Sequence, residues 1–119
     1  MKLFRLLPLL LFGLPSVLHA QFGTEIDSMI TRLDQPMDDT QHVELLLTIC
    51  DYLQIKEPQE ADTFLREAQI LSEKIEYVVG ITYSSFLESR DLAYFQSDSD
   101  SAIAVLDRAL AYLEKNKKR

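Results

Sequence analysis

Residues 59–75, QEADTFLREAQILSEKI, decide the fold class of this chain. Apolar residues recur in this stretch at intervals of three and four, which places them on one face of an α-helix. Pro58, directly before it, suits the first turn of a helix and disfavours helical backbone in the residue that precedes it. We therefore predict a helix from Gln59 to about Ile75 with an apolar face turned towards a core. The residues of that face are Ala61, Phe64, Leu65, Ala68, Leu71 and Ile75.

Four further segments show the same helical spacing. They cover residues 24–33, 40–57, 77–95 and 101–115. The β-branched pair at 78–79 would also suit a strand, but helical spacing continues too far beyond it for one. From residue 21 onward the chain has only two glycines and two prolines, and so few helix breakers favour helices with short connections. The sequence predicts an all-α domain of five helices.

Two of these helices match each other at an offset of 41 residues. The third and fifth predicted helices align at two alanines, at the leucine between them and at a Glu-Lys pair. Alanines seven residues apart let a second helix approach the first closely, and the leucine fills the remaining gap. Because each of these helices follows another amphipathic helix, we predict two helix-turn-helix units. The matched residues are Ala61, Leu65, Ala68, Glu73 and Lys74, and Ala102, Leu106, Ala109, Glu114 and Lys115.

This alanine–leucine–alanine pattern resembles the second helix of tetratricopeptide repeats (TPR). Tyr52 lies where that family often has an aromatic residue near the end of the first helix. The stretch YVVGITY, residues 77–83, is similar to the helix start in repeats from extracytoplasmic regions of bacterial sensor kinases and regulators. The resemblance covers about residues 40–115. It implies antiparallel helical hairpins stacked as a short TPR-like α-solenoid, an architecture that commonly binds peptides or partner helices.

Two features depart from the family pattern. The spacing of 41 residues exceeds the family's period of about 34. A small residue is expected mid-way along the first helix of each unit, and Ile49 and Arg90 or Asp91 stand there instead. We therefore interpret the units as degenerate repeats, for which the resemblance implies the fold more strongly than any function.

The N-terminal residues have the three parts of a secretory signal peptide. Lys2 and Arg5 provide a short basic region, residues 6–18 are mostly apolar, and Ala20 is a small residue for cleavage before Gln21. The apolar stretch is interrupted by proline and glycine and is shorter than the roughly 18–20 residues of a membrane anchor. We expect cleavage after Ala20, although the bulk of Leu18 leaves a shift by a few residues open. The product is then exported to the periplasm or the medium, with no membrane attachment.

The resulting organisation has four parts. The signal peptide covers residues 1–20, a short leading helix and linker residues 21–39, the two TPR-like hairpins residues 40–115, and a basic tail residues 116–119. The whole chain has a net charge of −7, and cleavage removes two basic and no acidic residues, which leaves −9. An excess of acidic charge repels phosphate groups, so nucleic acids and anionic lipids are disfavoured as partners.

The residue types offer little for catalysis. Cys50 is the single cysteine, so no disulfide forms within the chain, and its place among leucines predicts a buried, inert thiol. His42 lies eight residues earlier on the same predicted helix, about 12 Å away along its axis, so the two cannot form a nucleophile–base pair. The loop at 97–100 lacks the glycine and the further ligands of a calcium site. We expect no enzyme, no cofactor and no metal.

The candidate functional residues are therefore those that face a protein partner. Glu88, Arg90 and Asp91 form either a partner-facing polar patch or a solvated face with a local Arg–acid pair, which we prefer. The last helix offers Ile103, Leu110 and Tyr112 away from its alanine stripe, with no later helix to cover them. The first helix, a second copy or another chain would then cover them.

We expect a non-enzymatic protein–protein interaction module whose partner is another protein or peptide, or a second copy of the chain. A truncated extracytoplasmic sensor region is the main alternative, and a domain that binds a small ligand between its helices is a further one.

Overall fold

A computed structural model describes residue 23 and residues 25–117. Within them the chain is helical, without a β-strand, as the sequence predicts. The signal-peptide prediction, residues 1–20, and the last two residues of the basic tail lie outside the described part. The helices are α1 (residues 25–32), α2 (Asp39–Leu53), α3 (Pro58–Lys74), α4 (Val78–Tyr94) and α5 (Ser99–Asn116).

Two compact units divide the chain, Met1–Asp34 and Gln35–Arg119. In the first unit, the described residues form α1, in which the Thr31 hydroxyl donates to the carbonyl oxygen of Asp27 at 2.8 Å. The second unit contains α2 to α5 and both predicted hairpins.

Capping side chains set where α2 and α5 begin. The Asp38 carboxylate accepts a hydrogen bond from the backbone N–H of Gln41 at 2.8 Å, and the Asp98 carboxylate accepts one from Ser101 at 3.1 Å. These bonds satisfy N–H groups that have no partner in a first helical turn. Since Asp98 is the cap, α5 starts at Ser99, and our assignment of residues 99–100 to a loop was wrong.

The other helix ends lie close to their predicted positions. α2 ends at Leu53, several residues before Pro58. A turn at residues 54–56 separates the two helices, and Pro58 is the first residue of α3. After α3 and α4 the backbone turns through the left-handed region at Glu76 (φ 53°) and Ser97 (φ 52°). The Tyr77 N–H then donates to the Ser72 carbonyl at 2.9 Å, a bond typical of a helix that is terminated in this way.

Consecutive helices pack on one another in chain order. α2 packs on α3 and α4 packs on α5, while α3 also contacts α4 and α2 makes a smaller contact with α4. Among the described residues of this unit, α5 packs on α4 alone. The buried apolar residues of these helices are Val43, Leu45, Leu46, Leu47, Ile49, Cys50, Leu53, Ala61, Leu65, Ala68, Leu87, Ala102, Val105 and Ala109.

The aligned alanines are buried in both hairpins, but the leucines between them differ. Leu65 on α3 is 1% exposed, as expected of a residue that fills a gap. Leu106, its counterpart on α5, is 39% exposed, so the expectation was wrong for the second hairpin. The physical reason is the packing order, because both α2 and α4 pack on α3, whereas within this unit α5 packs on α4 alone.

Gly80 allows α4 to approach α2 and α3 closely. A Cβ atom added at Gly80 would lie 2.5 Å from Ser72 Oγ on α3 and 2.8 Å from Val43 Cγ1 on α2. A side chain at this position would therefore force its neighbours to shift, which glycine avoids. The small residue of α4 that permits this approach is therefore Gly80, in the first turn of the helix. The repeat pattern predicts a small residue mid-way along the helix, where Arg90 and Asp91 stand instead.

Candidate functional site

Cys50 and His42 are the side chains with the greatest potential for nucleophilic or base chemistry, and each is constrained by its surroundings. Cys50 is fully buried, and burial raises the pKa of its thiol to about 12. At neutral pH such a thiol is protonated and therefore a poor nucleophile. The His42 side chain is half-buried, and its Nε2 lies 3.9 Å from a carboxylate oxygen of Glu67 on α3.

The part of the chain that the structure describes holds no group of three or more His, Cys, Asp or Glu residues placed to bind a metal ion.

Arg90 ties α4 to the end of α2. Its Nε donates to Gln54 Oε1 at 2.7 Å, and its guanidinium also donates to the Asp51 carboxylate. Gln54 is buried and donates in turn to the Leu87 carbonyl at 2.7 Å. The preferred prediction of a local Arg–acid pair on α4 was therefore wrong. The buried side-chain oxygen of Gln54, just after α2, needs a hydrogen-bond donor, and Arg90 of α4 provides that donor.

Glu88 and Asp91 point to different neighbours. Glu88 accepts hydrogen bonds from Gln69 at 3.0 Å and from Arg66 at 3.4 Å, both on α3. Asp91 accepts one from Gln96 at 2.8 Å, beyond the end of its own helix. The three polar candidates of α4 therefore do not form one patch.

An open groove of about 410 Å³ runs between α3, α4 and α5. Glu88 and Tyr112 both lie on its wall, which places Tyr112 away from the other two candidates of α5. Both polar and apolar side chains line the wall, and the Glu88 carboxylate there is already bonded to α3. The residues of the wall are Gln69, Glu73, Ile81, Ser85, Glu88, Val105, Arg108, Ala109 and Tyr112.

The outer side of α5 presents a continuous apolar stripe. Its members are spaced by three, four and three residues, which aligns them along one side of the helix. They are 57%, 39%, 60% and 37% exposed in chain order, although all are large aliphatic residues. Two of them, Ile103 and Leu110, are sequence candidates, and the other two had been missed. We call this set the α5 stripe: Ile103, Leu106, Leu110 and Leu113.

An acidic row borders the α5 stripe. Asp107 and Glu114 each follow a stripe residue by four positions, so they are its neighbours on the helix surface. Asp100 lies seven residues before Asp107 and extends the same line. All three are exposed. We call Asp100, Asp107 and Glu114 the acidic row.

A second exposed apolar set lies on α4. Val79, Tyr83 and Phe86 are exposed, and the two aromatic rings stack with centroids 6.2 Å apart. Burial raises the pKa of Tyr83, and the nearby Asp51 carboxylate raises it further. Residue spacing alone does not reveal this set, because the apolar residues of α4 surround the helix.

No model of a known protein family, no curated protein and no solved structure matches this chain. Over residue 23 and residues 25–117, no helix has the length and apolar character needed to cross a membrane.

Proposed function

We propose that this chain is an exported helical-repeat protein that binds another protein and catalyses no reaction. The observation that carries the proposal is the α5 stripe, four large aliphatic side chains in one line with more than a third of each exposed. Contiguous exposed apolar surface on a small soluble protein is typical of an interaction site.

The packing order supports the repeat architecture. In an α-solenoid each unit contacts its neighbours in sequence, and the array does not close on itself. The contacts of α2 to α5 follow that rule, because α5 packs on α4 and does not return to α2 or α3. A closed four-helix bundle would require the first and last helices to meet. A short TPR-like stack of two hairpins is therefore the arrangement we propose.

The roles of the reactive side chains favour binding over catalysis. The Cys50 thiol is buried and protonated, and Arg90 is engaged in holding α2 to α4. A catalytic pair requires a nucleophile and a base within hydrogen-bond reach of each other. The helical separation of His42 and Cys50 is about 12 Å along the axis, which is too far for such a pair.

The proposed export rests on the basic, apolar and small-residue pattern of residues 1–20. N-terminal sequencing of the product recovered from the periplasm or medium tests it. We expect Gln21 or a residue close to it at the N-terminus. A product that begins with Met1 and sediments with the membranes would contradict export by cleavage.

Affinity capture from the exported fraction tests the binding function. The protein is produced from its full coding sequence with a C-terminal tag, as wild type, as the Ile103→Gln/Leu110→Gln double variant, and as Ile70→Gln. Ile70 is 70% exposed on α3 and lies outside both apolar surfaces, so it provides a matched control. We expect the same protein to be retained by wild type and by Ile70→Gln and to be lost from the double variant. If the wild type retains nothing beyond what empty resin retains, the binding function is wrong.

A further inference from the structure

We propose that the α5 stripe binds an amphipathic helix of another protein, with an apolar face flanked by Lys or Arg side chains. The inference rests on the proposed function and names the class of its partner. Three features of the molecule support it. They are the contact of α4 with α3, the α5 residues that correspond to the contacted face of α3, and the charged residues that border the stripe.

The first hairpin shows what kind of element fits this face. At the offset of 41 residues, Leu106 and Leu113 of the α5 stripe correspond to Leu65 and Ser72 of α3. Those two α3 residues are 1% and 0% exposed, and α4 approaches this face, with Gly80 close to Ser72 and Glu88 bonded to Gln69. The equivalent face of α5 therefore has the geometry of a helix-docking surface. From Ile103 to Leu113 it covers eleven residues, a rise of about 15 Å along the helix, which is enough for nearly three turns of a partner.

The chemistry of the two faces differs, and this excludes α4 of a second copy as the occupant. On α3 the face includes Gln69, which bonds to Glu88 of α4. On α5 the corresponding residue is Leu110, which offers no hydrogen bond to that carboxylate. Burying an acidic side chain against a leucine without a partner is costly. The occupant must therefore present apolar side chains where α4 presents polar ones.

The acidic row selects the charge of the partner. In an antiparallel pair of α5 helices, the same flank of each copy faces the other, so the two acidic rows would lie side by side. In a parallel pair, the row would face the side of α5 that already packs on α4. The chain also has a net charge of −7, which opposes self-association in either arrangement. Basic residues beside the apolar face of a partner helix would instead be attracted to the row.

The α5 helix has its own basic residues, and they do not neutralise the row. Arg108 faces the groove between α3, α4 and α5. Lys115 follows Arg108 by seven positions, so it lies on the same side of the helix as Arg108. Lys117, just after the helix, follows Leu110 by seven positions, so it lies at the C-terminal end of the stripe rather than along its acidic flank.

Two synthetic peptides test the inference against the protein produced from its full coding sequence. Both have leucines at helical intervals over about the 17 residues of α4, and their flanking positions are all Lys in one peptide and all Glu in the other. Fluorescence anisotropy of the labelled peptides measures their affinity. We expect saturable binding of the Lys peptide with one peptide per chain, and at least tenfold weaker binding of the Glu peptide.

Variants separate docking on the stripe from general attraction to an acidic protein. Ile103→Gln/Leu110→Gln leaves the net charge unchanged and should lower the affinity for the Lys peptide at least tenfold. Ile70→Gln should not alter that affinity. Asp107→Asn/Glu114→Gln keeps the stripe intact. It should lower the affinity for the Lys peptide several-fold and reduce the dependence of that affinity on salt. Equal affinity of the Lys peptide for wild type and for the stripe variant would overturn the proposal.

Sedimentation velocity tests the second copy as the occupant. We expect the wild type to remain monomeric at micromolar concentration in the absence of peptide. A wild-type dimer that the stripe variant abolishes would overturn the choice of partner. In the capture experiment, a protein retained equally by the stripe variant and by wild type would reject this site and leave the binding function standing.

Discussion

Replacing Gly80 by alanine is the sharpest test of how the hairpins pack. The new methyl group would lie 2.5 Å from Ser72 Oγ, 2.8 Å from Val43 Cγ1 and 2.9 Å from Tyr77 Cδ2. Overpacking of this kind costs about 1–3 kcal/mol. Alanine also favours the helix by about 1 kcal/mol over glycine, which opposes that cost.

With three contacts below 3.0 Å, we expect a net destabilisation of about 1–2 kcal/mol from Gly80→Ala. For a domain of this size that corresponds to a fall in Tm of roughly 5–15 °C.

Ser72→Ala provides an internal check, because Ser72 Oγ is the closest of these atoms. Among the described residues this buried hydroxyl has no hydrogen-bond partner. Removing it alone should leave the stability unchanged or raise it by up to about 1 kcal/mol. In the Ser72→Ala background Gly80→Ala loses its worst contact, so its cost should fall by at least about 0.5 kcal/mol.

Thermal and urea unfolding followed by circular dichroism measure both effects. Gly23→Ala is the matched control, because its added methyl group meets no atom within 4 Å. We expect that variant to stay within about 0.5 kcal/mol of wild type. If Gly80→Ala is as stable as wild type or more stable, the close approach of α4 to α2 and α3 is not as described.

Three further properties can be tested on the same protein. Arg90→Lys should lower the free energy of unfolding by about 1–3 kcal/mol, because lysine cannot bond to Gln54 and the Asp51 carboxylate as a guanidinium does; denaturant unfolding would show no change if the tie were unimportant. Cys50 should react with a thiol reagent at pH 8 only when the protein opens, because its side chain is fully buried, and burial also raises the pKa of its thiol to about 12; fast labelling of the native protein would refute its burial. The hydrogen bond from Ser101 lowers the pKa of Asp98 below 3.8, so this cap stabilises α5 above that pH and is lost as the pH falls through the lowered value. Asp98→Asn should remove that part of the acid dependence of Tm, and an unchanged acid transition would contradict it.

The fold class could be predicted because helix periodicity and burial agree along most of the chain. The helix α3 illustrates this: its expected inner face, including Ala61, Leu65 and Ala68, is largely buried. The start of α5 could not be placed in advance, because several capping residues follow one another at 97–101. The structure shows that the Asp98 carboxylate is the one that accepts the hydrogen bond from the Ser101 N–H.

Two of the four residues of the α5 stripe, Ile103 and Leu110, were named from the sequence, and the differences between expectation and structure have a common cause. Leu106 matches Leu65 in sequence, yet its exposure depends on whether a further helix covers it, which no local pattern encodes. Arg90 has acidic neighbours on its own helix, but its partner Asp51 is 39 positions away along the chain. Long-range contacts of this kind arise from the packing of hairpins. The spacing of the α5 stripe, in contrast, is readable from the sequence and would have added Leu113.

Site-specific photo-crosslinking from residue 110 tests the central claim most directly. A photoreactive amino acid replaces Leu110 in one variant and Ile70 in the control, and each is exported from its full coding sequence and irradiated in the cells. We expect a discrete crosslinked species with another protein from position 110 and none from position 70. A species that forms from position 70 alone, or a crosslink from position 110 only to a second copy of the chain, would contradict the assignment of the α5 stripe as the partner-binding surface.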